Sequence, residues 1–234
     1  FPLAATVEAE VERDMTAFVG RVHRDNLARF YPLLRDASPR ALGRVWAAFD
    51  LRTRLILGAE YLPVRDTVAW LIARAAGPAP WAFHAAQLAA YLGAVALLRA
   101  WLRRVLSDLW VAELAVWLFA LHPAHVSSVA WAAGLKDALS LLFVSAALRV
   151  YAAERARPVA VAVLVALACL SKGTSVVAPA LLIAGDVLTR RSPRWPSVAL
   201  ASLVVAGSLW AQARVGAVVQ MIAEPLGRNV MERI

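Results

Sequence analysis

The sequence predicts an all-α fold: a polytopic transmembrane helix bundle preceded by an extracytoplasmic N-terminal helical region. Three observations carry that prediction. The 234 residues are 61% hydrophobic with a mean hydropathy of +0.63, above the roughly half-apolar composition of soluble domains. From position 81 onward apolar runs follow one another. Arginine clusters fill alternate connections between those runs, as in membrane loops.

Residues 1–80 differ from the rest. They hold 11 Lys and Arg and 9 Asp and Glu, against 14 and 7 in the remaining chain. No run there reaches the roughly 18 apolar residues a membrane span needs. Residues 7–22 read as a charged amphipathic helix. Ser38 and Pro39 read as the cap and first position of a helix through residue 49. Asp66 or Thr67 is the expected cap of a short helix over 68–75. The Gly77-Pro78-Ala79-Pro80 run then breaks the chain and marks a boundary.

Six spans are expected in the second region, 81–213: about 81–102, 106–121, 126–151, 158–170, 175–188 and 196–212. Residues 214–234 read as an extracytoplasmic tail or the start of a further segment. Several spans fall short of the roughly 20 residues that cross a bilayer unaided, which suggests tilted or tightly paired helices or a thinned bilayer. Trp81, Trp101, Trp110, Trp195 and Trp210 fall near span ends, where an aromatic belt would place them.

Charge placement orients the chain. Arg99, Arg103 and Arg104 follow the first span, Arg149, Arg155 and Arg157 the third, and Arg190, Arg191 and Arg194 the fifth. The alternate connections, 122–127 and 171–174, hold Lys172 as their single Lys or Arg. The positive-inside rule puts the arginine loops in the cytoplasm. It puts residues 1–80 and the His122 and Lys172 turns together on the far, periplasmic face. The high Ala, Arg and Val content points to a GC-rich bacterial genome and so to the inner membrane.

The charge of +9 lies in these short loop clusters. There are no basic–aromatic arrays of the RNA-binding kind, so nucleic acid is not an expected partner. Cys169 is the single cysteine, which excludes a disulfide framework and a cysteine-based metal site.

The candidate site residues lie on the shared far face. Lys136 and Asp137 sit about three turns into the third span, where charges are costly and need a reason. Neighbours on a helix diverge by about 100°, so each needs its own partner. A structural ion pair and a functional pair both remain open. His122 and His125 could cap the following helix, contact an anion or substrate, or ligate a metal. Two ligands without a carboxylate in the same turn are too few for metal, and no cofactor is expected. Ser171-Lys172-Gly173-Thr174 lacks the upstream glycine of a P-loop. Lys172 before a helix N-terminus suits an anion, and equally suits snorkelling to lipid headgroups.

The stretch HPAHVSSVAWAAGLKDALSLLF at 122–143 resembles the HPxHxExVAWxxxRKDxLSxLF segment of the transmembrane and tetratricopeptide-repeat O-mannosyltransferases and their bacterial relatives. LSKGTSVVAPALLIAGD at 170–186 resembles the same family's LSKExxVxLPxxLLLLD. YPLLRDASPRAL at 31–42, YLPVRDTVAWLI at 61–72 and WAFHAAQLAAYLGAVALLRAWLRR at 81–104 resemble further segments in the same order. The resemblance covers roughly residues 24–190.

It implies a C-type (GT-C) glycosyltransferase fold. Such proteins transfer a sugar from a polyprenyl-phosphate carrier to a hydroxyl, here on a possible protein acceptor, with membrane lipid or partner subunits around them. The chemistry needs a carboxylate base for the acceptor hydroxyl and cations or donors for the departing phosphate. By resemblance Asp25 is the catalytic carboxylate. Arg65, His122, His125, Lys136, Asp137 and Lys172 are the lipid-phosphate or substrate-binding candidates. The sequence departs from the family pattern where Arg24-Asp25-Asn26 replaces an acidic pair, where Leu62 follows Tyr61, where Ser127 or Ser128 replaces a glutamate, and at Gly173. Those losses define the alternative, a catalytically silent relative with a structural or assembly role in a membrane complex.

Overall fold

Among the described residues, proline in the first two positions opens six of the α-helices. A fixed φ and a missing N–H cost nothing there, because first-turn amides have no intrahelical acceptor. The computed structural model describes residues 36, 38–49, 53, 60–77, 79–130, 134–155 and 157–231. These are helical or irregular, with no strand among them. The expected helix at 7–22, and Asp25, lie outside the described residues.

The N-terminal region contributes α1 (Pro39–Ala47) and α2 (Pro63–Ala76). Ser38 stands at the N-cap of α1 as expected, but its side chain makes no cap bond. Asp36 does the local work instead. It accepts from the Ser38 amide at 3.0 Å and pairs with Arg44 at 2.5 Å. The start expected near residue 68 is corrected: α2 begins five residues earlier, at Pro63, and Asp66 lies in its first turn. Pro63 presets the helical φ, and the Val64 amide donates to the Leu170 carbonyl at 3.2 Å. Gly77 ends the helix at φ 67°, a left-handed conformation that glycine tolerates without a Cβ clash.

The bundle follows: α3 (Pro80–Val105), α4 (Leu109–Ala120), a 3-10 turn (Pro123–His125), α5 (Val126–Ala130), α6 (Leu135–Tyr151), α7 (Pro158–Cys169), a 3-10 stretch (Gly173–Val177), α8 (Ala178–Leu188) and α9 (Trp195–Met231). Two helices, Pro80–Val105 and Trp195–Gly216, are long and apolar enough to cross a membrane. Leu109–Ala120, Pro158–Cys169 and Gly173–Leu188 are shorter apolar helices. Asp108 caps α4 by accepting from the amides of Trp110 (2.8 Å) and Val111 (3.3 Å), which places its start after residue 106.

The expected span over 126–151 is described in two pieces, α5 (Val126–Ala130) and α6 from Leu135, and residues 131–133 between them lie outside the described residues. The fully buried Gln87 of α3 donates its side-chain amide to the carbonyls of Ser128 and, at 3.1 Å, Val129. Gly134 is required beside them. A Cβ there would run into the Ser128 carbonyl and sit 2.6 Å from Gln87 Nε2.

Helices α3, α6, α7 and α9 pack successively against one another. One core cluster gathers Tyr151, Val161, Val165, Leu182 and Ala201; another gathers Phe83, Tyr91, Leu135 and Leu139. Two glycines let side chains of a neighbouring helix pack close to the backbone: a Cβ on Gly93 would lie 3.2 Å from the Leu142 side chain, and one on Gly185 the same distance from the Trp101 ring. Polar Gln87, Ser145, Ser171 and Ser175 are buried, while Trp110 (85% exposed), Leu118 (64%) and Leu203 (68%) face outward.

The bundle has two distinct ends. At one, Glu113 pairs with Arg99 at 2.7 Å and Arg103 at 3.5 Å, and Arg104 reaches Glu154 at 3.5 Å. There too, the buried Asp186 accepts from the Tyr151 hydroxyl, which in turn accepts from the Arg194 amide at 3.0 Å. At the other end lie the starts of α3 and α6, the histidine turn, Lys172 and the start of α2.

Candidate functional site

The first turn of α6 places Lys136 and Asp137 at the histidine end. Their side chains leave the helix on different sides, as the 100° step requires. Lys136 Nζ reaches Glu60 Oε2 at 3.0 Å. The same oxygen lies 3.7 Å from the Arg65 guanidinium, and Arg65 also holds Asp66 at 2.7 Å. Arg65 and Asp66 are buried, with side chains 11% and 2% exposed, while Glu60 is 46% exposed. On the other side, Asp137 pairs with Lys172. Two chains of opposite charges therefore start from adjacent residues.

The N-terminal region is tied to this end by backbone recognition. The Gln212 side-chain amide grips Tyr61, accepting from its N–H at 3.2 Å and donating to its carbonyl at 2.7 Å. The Tyr61 ring stacks on Phe49 at 5.0 Å, and its hydroxyl donates to the Trp46 carbonyl at 2.9 Å. Glu60 is thus delivered to Lys136 by the residue next to this clamp.

A cleft of about 320 Å³ opens beside the second ion pair. Asp137, Ser140, Leu141 and Val144 line it from α6. Their i, i+3, i+4, i+7 spacing puts them on one helix face. Lys172, Thr174, Ser175, Val177 and Leu181 close the opposite wall, with Tyr91, His125 and Ser128 completing the rim. The Ser140 and Ser175 hydroxyls bond each other at 2.5 Å, and Ser175 also donates to the Ala168 carbonyl at 3.1 Å. The polar groups cluster at the histidine end, while Leu141, Val144, Val177 and Leu181 supply apolar wall.

The two histidines part company. His122 Nδ1 accepts from the Ala124 amide at 3.1 Å, capping the 3-10 turn, and its ring is exposed. Accepting there leaves any single proton on Nε2. His125 points at the cleft, its ring 4.5 Å from Phe119 and 5.9 Å from Tyr91. Tyr91 is itself fixed by donating to the Ala120 carbonyl at 2.8 Å. No group of three or more His, Cys, Asp or Glu able to hold a metal occurs among the described residues.

Of the seven residues singled out from sequence, the structure gathers Arg65, Lys136, Asp137, Lys172 and His125, sets His122 to one side, and does not describe Asp25. Several participants escaped the list. Glu60 carried no motif. Ser140 lies one turn from Lys136 and could have been found by helical spacing. Gln87, an amide within an apolar run, is the kind of buried polar residue that calls for a partner. The Gln212 grip on Tyr61 has no local signal.

Comparison with protein-family models, curated proteins and solved structures finds no match to this chain.

Proposed function

We propose that this chain is a multi-pass inner-membrane glycosyltransferase of the C type, moving a sugar from a polyprenyl-phosphate carrier to a hydroxyl acceptor, on a protein, at the periplasmic face. The observation that carries the reading is the two-part cleft. Its Lys172, His125 and serine end suits a phosphate, and its apolar wall suits an isoprenoid chain. The wall extends along α6 from Asp137 to Val144, about 10 Å at 1.5 Å per residue.

Membrane residence rests on three supports. Large apolar side chains such as Trp110, Leu118 and Leu203 are exposed on the outer surface, as in bundles whose solvent is lipid. Exposed tryptophans mark both ends, Trp81 and Trp210 at one and Trp110 and Trp195 at the other. Arginines gather at one end of the bundle, which the positive-inside rule assigns to the cytoplasm.

In this mechanism Lys172 leaves Asp137 to meet the donor phosphate, and His125 supplies a second donor when protonated. Charge developing on the departing phosphate is stabilised by these preset groups. Asp25 takes the acceptor proton; its role rests on the resemblance alone. The test is transfer of labelled sugar from polyprenyl phosphate in a reconstituted system. Asp25→Asn and Lys172→Ala should each lower transfer at least tenfold with the chain still folded; undiminished transfer in either removes that assignment.

A second reading has its own observation. Lys136, Arg65 and Lys172 already face carboxylates, so the site is charge-paired within the chain. A catalytically silent subunit using these pairs to hold the N-terminal region in place would look the same. Absence of transfer together with preserved assembly into a larger membrane complex would favour it.

A further inference from the structure

The arginine end of the bundle holds more cations than its carboxylates engage. Over 99–113, 149–157 and 186–194 the sequence places nine arginines against four acids, Asp108, Glu113, Glu154 and Asp186. All four acids are committed. Asp108 caps α4, and Glu113 is shared by Arg99 and Arg103. Glu154 meets Arg104, and the buried Asp186 takes the Tyr151 hydroxyl. No described carboxylate lies within ion-pair distance of Arg190, Arg191 or Arg194.

Part of this excess converges on one crevice. Trp101 and Arg104 of α3, Tyr151 at the end of α6, Asp186 of α8, and Arg191 and Arg194 beyond it line a space of about 10 Å³. That is room for one water-sized group, such as a single phosphate oxygen. Arg194 is fixed beside it. Its Nη1 donates to the carbonyls of Tyr151 at 2.7 Å and Ala153 at 2.5 Å. Those two bonds occupy one terminal nitrogen and leave the Nε–Nη2 edge of the guanidinium, the edge that binds an oxyanion in bidentate fashion.

The turn that carries Arg191 is built at a cost. Helix α8 closes with the Arg190 amide donating to Val187 at 3.1 Å and the Arg191 amide to Asp186 at 2.9 Å. Arg190 stands at φ 52°, a left-handed position that glycine fills without a Cβ penalty. An arginine there keeps a cation where the backbone favours glycine, and such strain points to a use. Apolar surface adjoins it: Val187, Leu188 and Trp195 are 68%, 62% and 62% exposed.

We propose that this crevice binds the phosphate of an anionic phospholipid from the cytoplasmic leaflet, held by Arg104, Arg191 and Arg194, with Val187, Leu188 and Trp195 against its acyl chains. Guanidinium forks match phosphate oxygens, and basic pockets between membrane helices on the cytoplasmic side take such headgroups. The exposed apolar residues alongside select a lipid over a soluble phosphate. The site lies at the opposite end of the bundle from the Lys172 cleft. It rests on the membrane reading above and is independent of sugar transfer.

The experiment reconstitutes the full chain into vesicles of phosphatidylcholine and phosphatidylglycerol in equal parts. The chain is then extracted in mild detergent, and the retained lipid is measured by mass spectrometry. The native chain should retain phosphatidylglycerol over phosphatidylcholine by about tenfold or more, and Arg191→Gln should lower that ratio by about fivefold, the factor for one surface cation. Arg104→Gln with Arg191→Gln should remove the preference. Arg155→Gln with Arg157→Gln takes the same charge from the same end, outside the crevice, and should leave the ratio unchanged. Thermal melts in phosphatidylcholine vesicles check folding; if the Arg104 and Arg191 double variant unfolds, Arg191→Gln, at an exposed position, decides alone. Insertion without any preference, or equal loss in both double variants, overturns the site and leaves the membrane reading standing. Displacement of the retained lipid by millimolar inorganic phosphate overturns the lipid as its ligand. Failure to insert into the vesicles overturns the membrane reading as well.

Discussion

Lys136 and Asp137 are neighbours in the chain, yet Lys136 Nζ binds Glu60 at 3.0 Å while Asp137 binds Lys172. One turn of α6 thereby joins the N-terminal region on one side and the α7–α8 connection on the other. With side chains 24–46% exposed, these pairs belong between surface bridges, worth up to about 1 kcal/mol, and buried ones, whose breakage strands a charge. Lys136→Met should lower stability by about 1 kcal/mol. Adding Glu60→Gln should cost less than the sum of the two single changes. A double-mutant cycle read by thermal unfolding checks this, and strict additivity would count against the pair.

Gly134 and Gly207 should respond oppositely to the same substitution. A Cβ at Gly134 meets the Ser128 carbonyl and the Gln87 amide, whereas Gly207 has nothing within 4 Å. Gly134→Ala should destabilise by about 1–3 kcal/mol, the usual cost of overpacking. Gly207→Ala, within helix α9, should be neutral or gain about 0.5–1 kcal/mol. Paired thermal melts decide it.

The Gln212 grip predicts a local opening. Gln212→Ala removes both bonds to the Tyr61 backbone, each worth about 1 kcal/mol net. Limited proteolysis near Tyr61 should accelerate several-fold, with the global melting midpoint shifting less. An unchanged cleavage rate would mean that the Gln212 bonds are not what holds the segment.

Asp36 gives a pH signature outside the apolar helices of the bundle. Hydrogen bonding from Ser38, above all, and the nearby Arg44 charge hold its carboxyl below the ordinary value. A lowered acid contributes stability that is present above its unfolded value, near 4, and lost as pH falls through the lower folded value. Trp70 donates to the Asp36 carbonyl at 2.9 Å, so tryptophan emission reports α1 docking. The signal should hold from neutral pH to about 5 and shift below 4, and Asp36→Asn should flatten that shift.

How much of this was legible in the sequence depends on the reach of each interaction. Helix starts at Pro39, Pro80 and Pro158 and the grouping of arginines are local, and the chain displays them openly. The divergence of Lys136 and Asp137 follows from helix geometry. Their partners do not, because Glu60 and Lys172 are brought in by the Gln212 grip and the α7–α8 turn. The close approach at Gly134 was hidden because the groups it meets, the Ser128 carbonyl and the Gln87 amide, come together only in the fold. The start of α2 was misplaced by weighting polar caps at 66 and 67 over Pro63, whose neighbour Val64 is anchored by a tertiary hydrogen bond to Leu170.

The central claim is that the cleft between α6 and α8 takes a lipid-linked phosphate. The most direct measurement is binding of polyprenyl phosphate to the chain in nanodiscs, compared between the native sequence, Lys172→Ala and Ser140→Trp. The account predicts saturable binding that weakens at least tenfold when the lysine is lost and disappears when the tryptophan fills the cleft. Equal binding by all three, or none by the native chain, would contradict it.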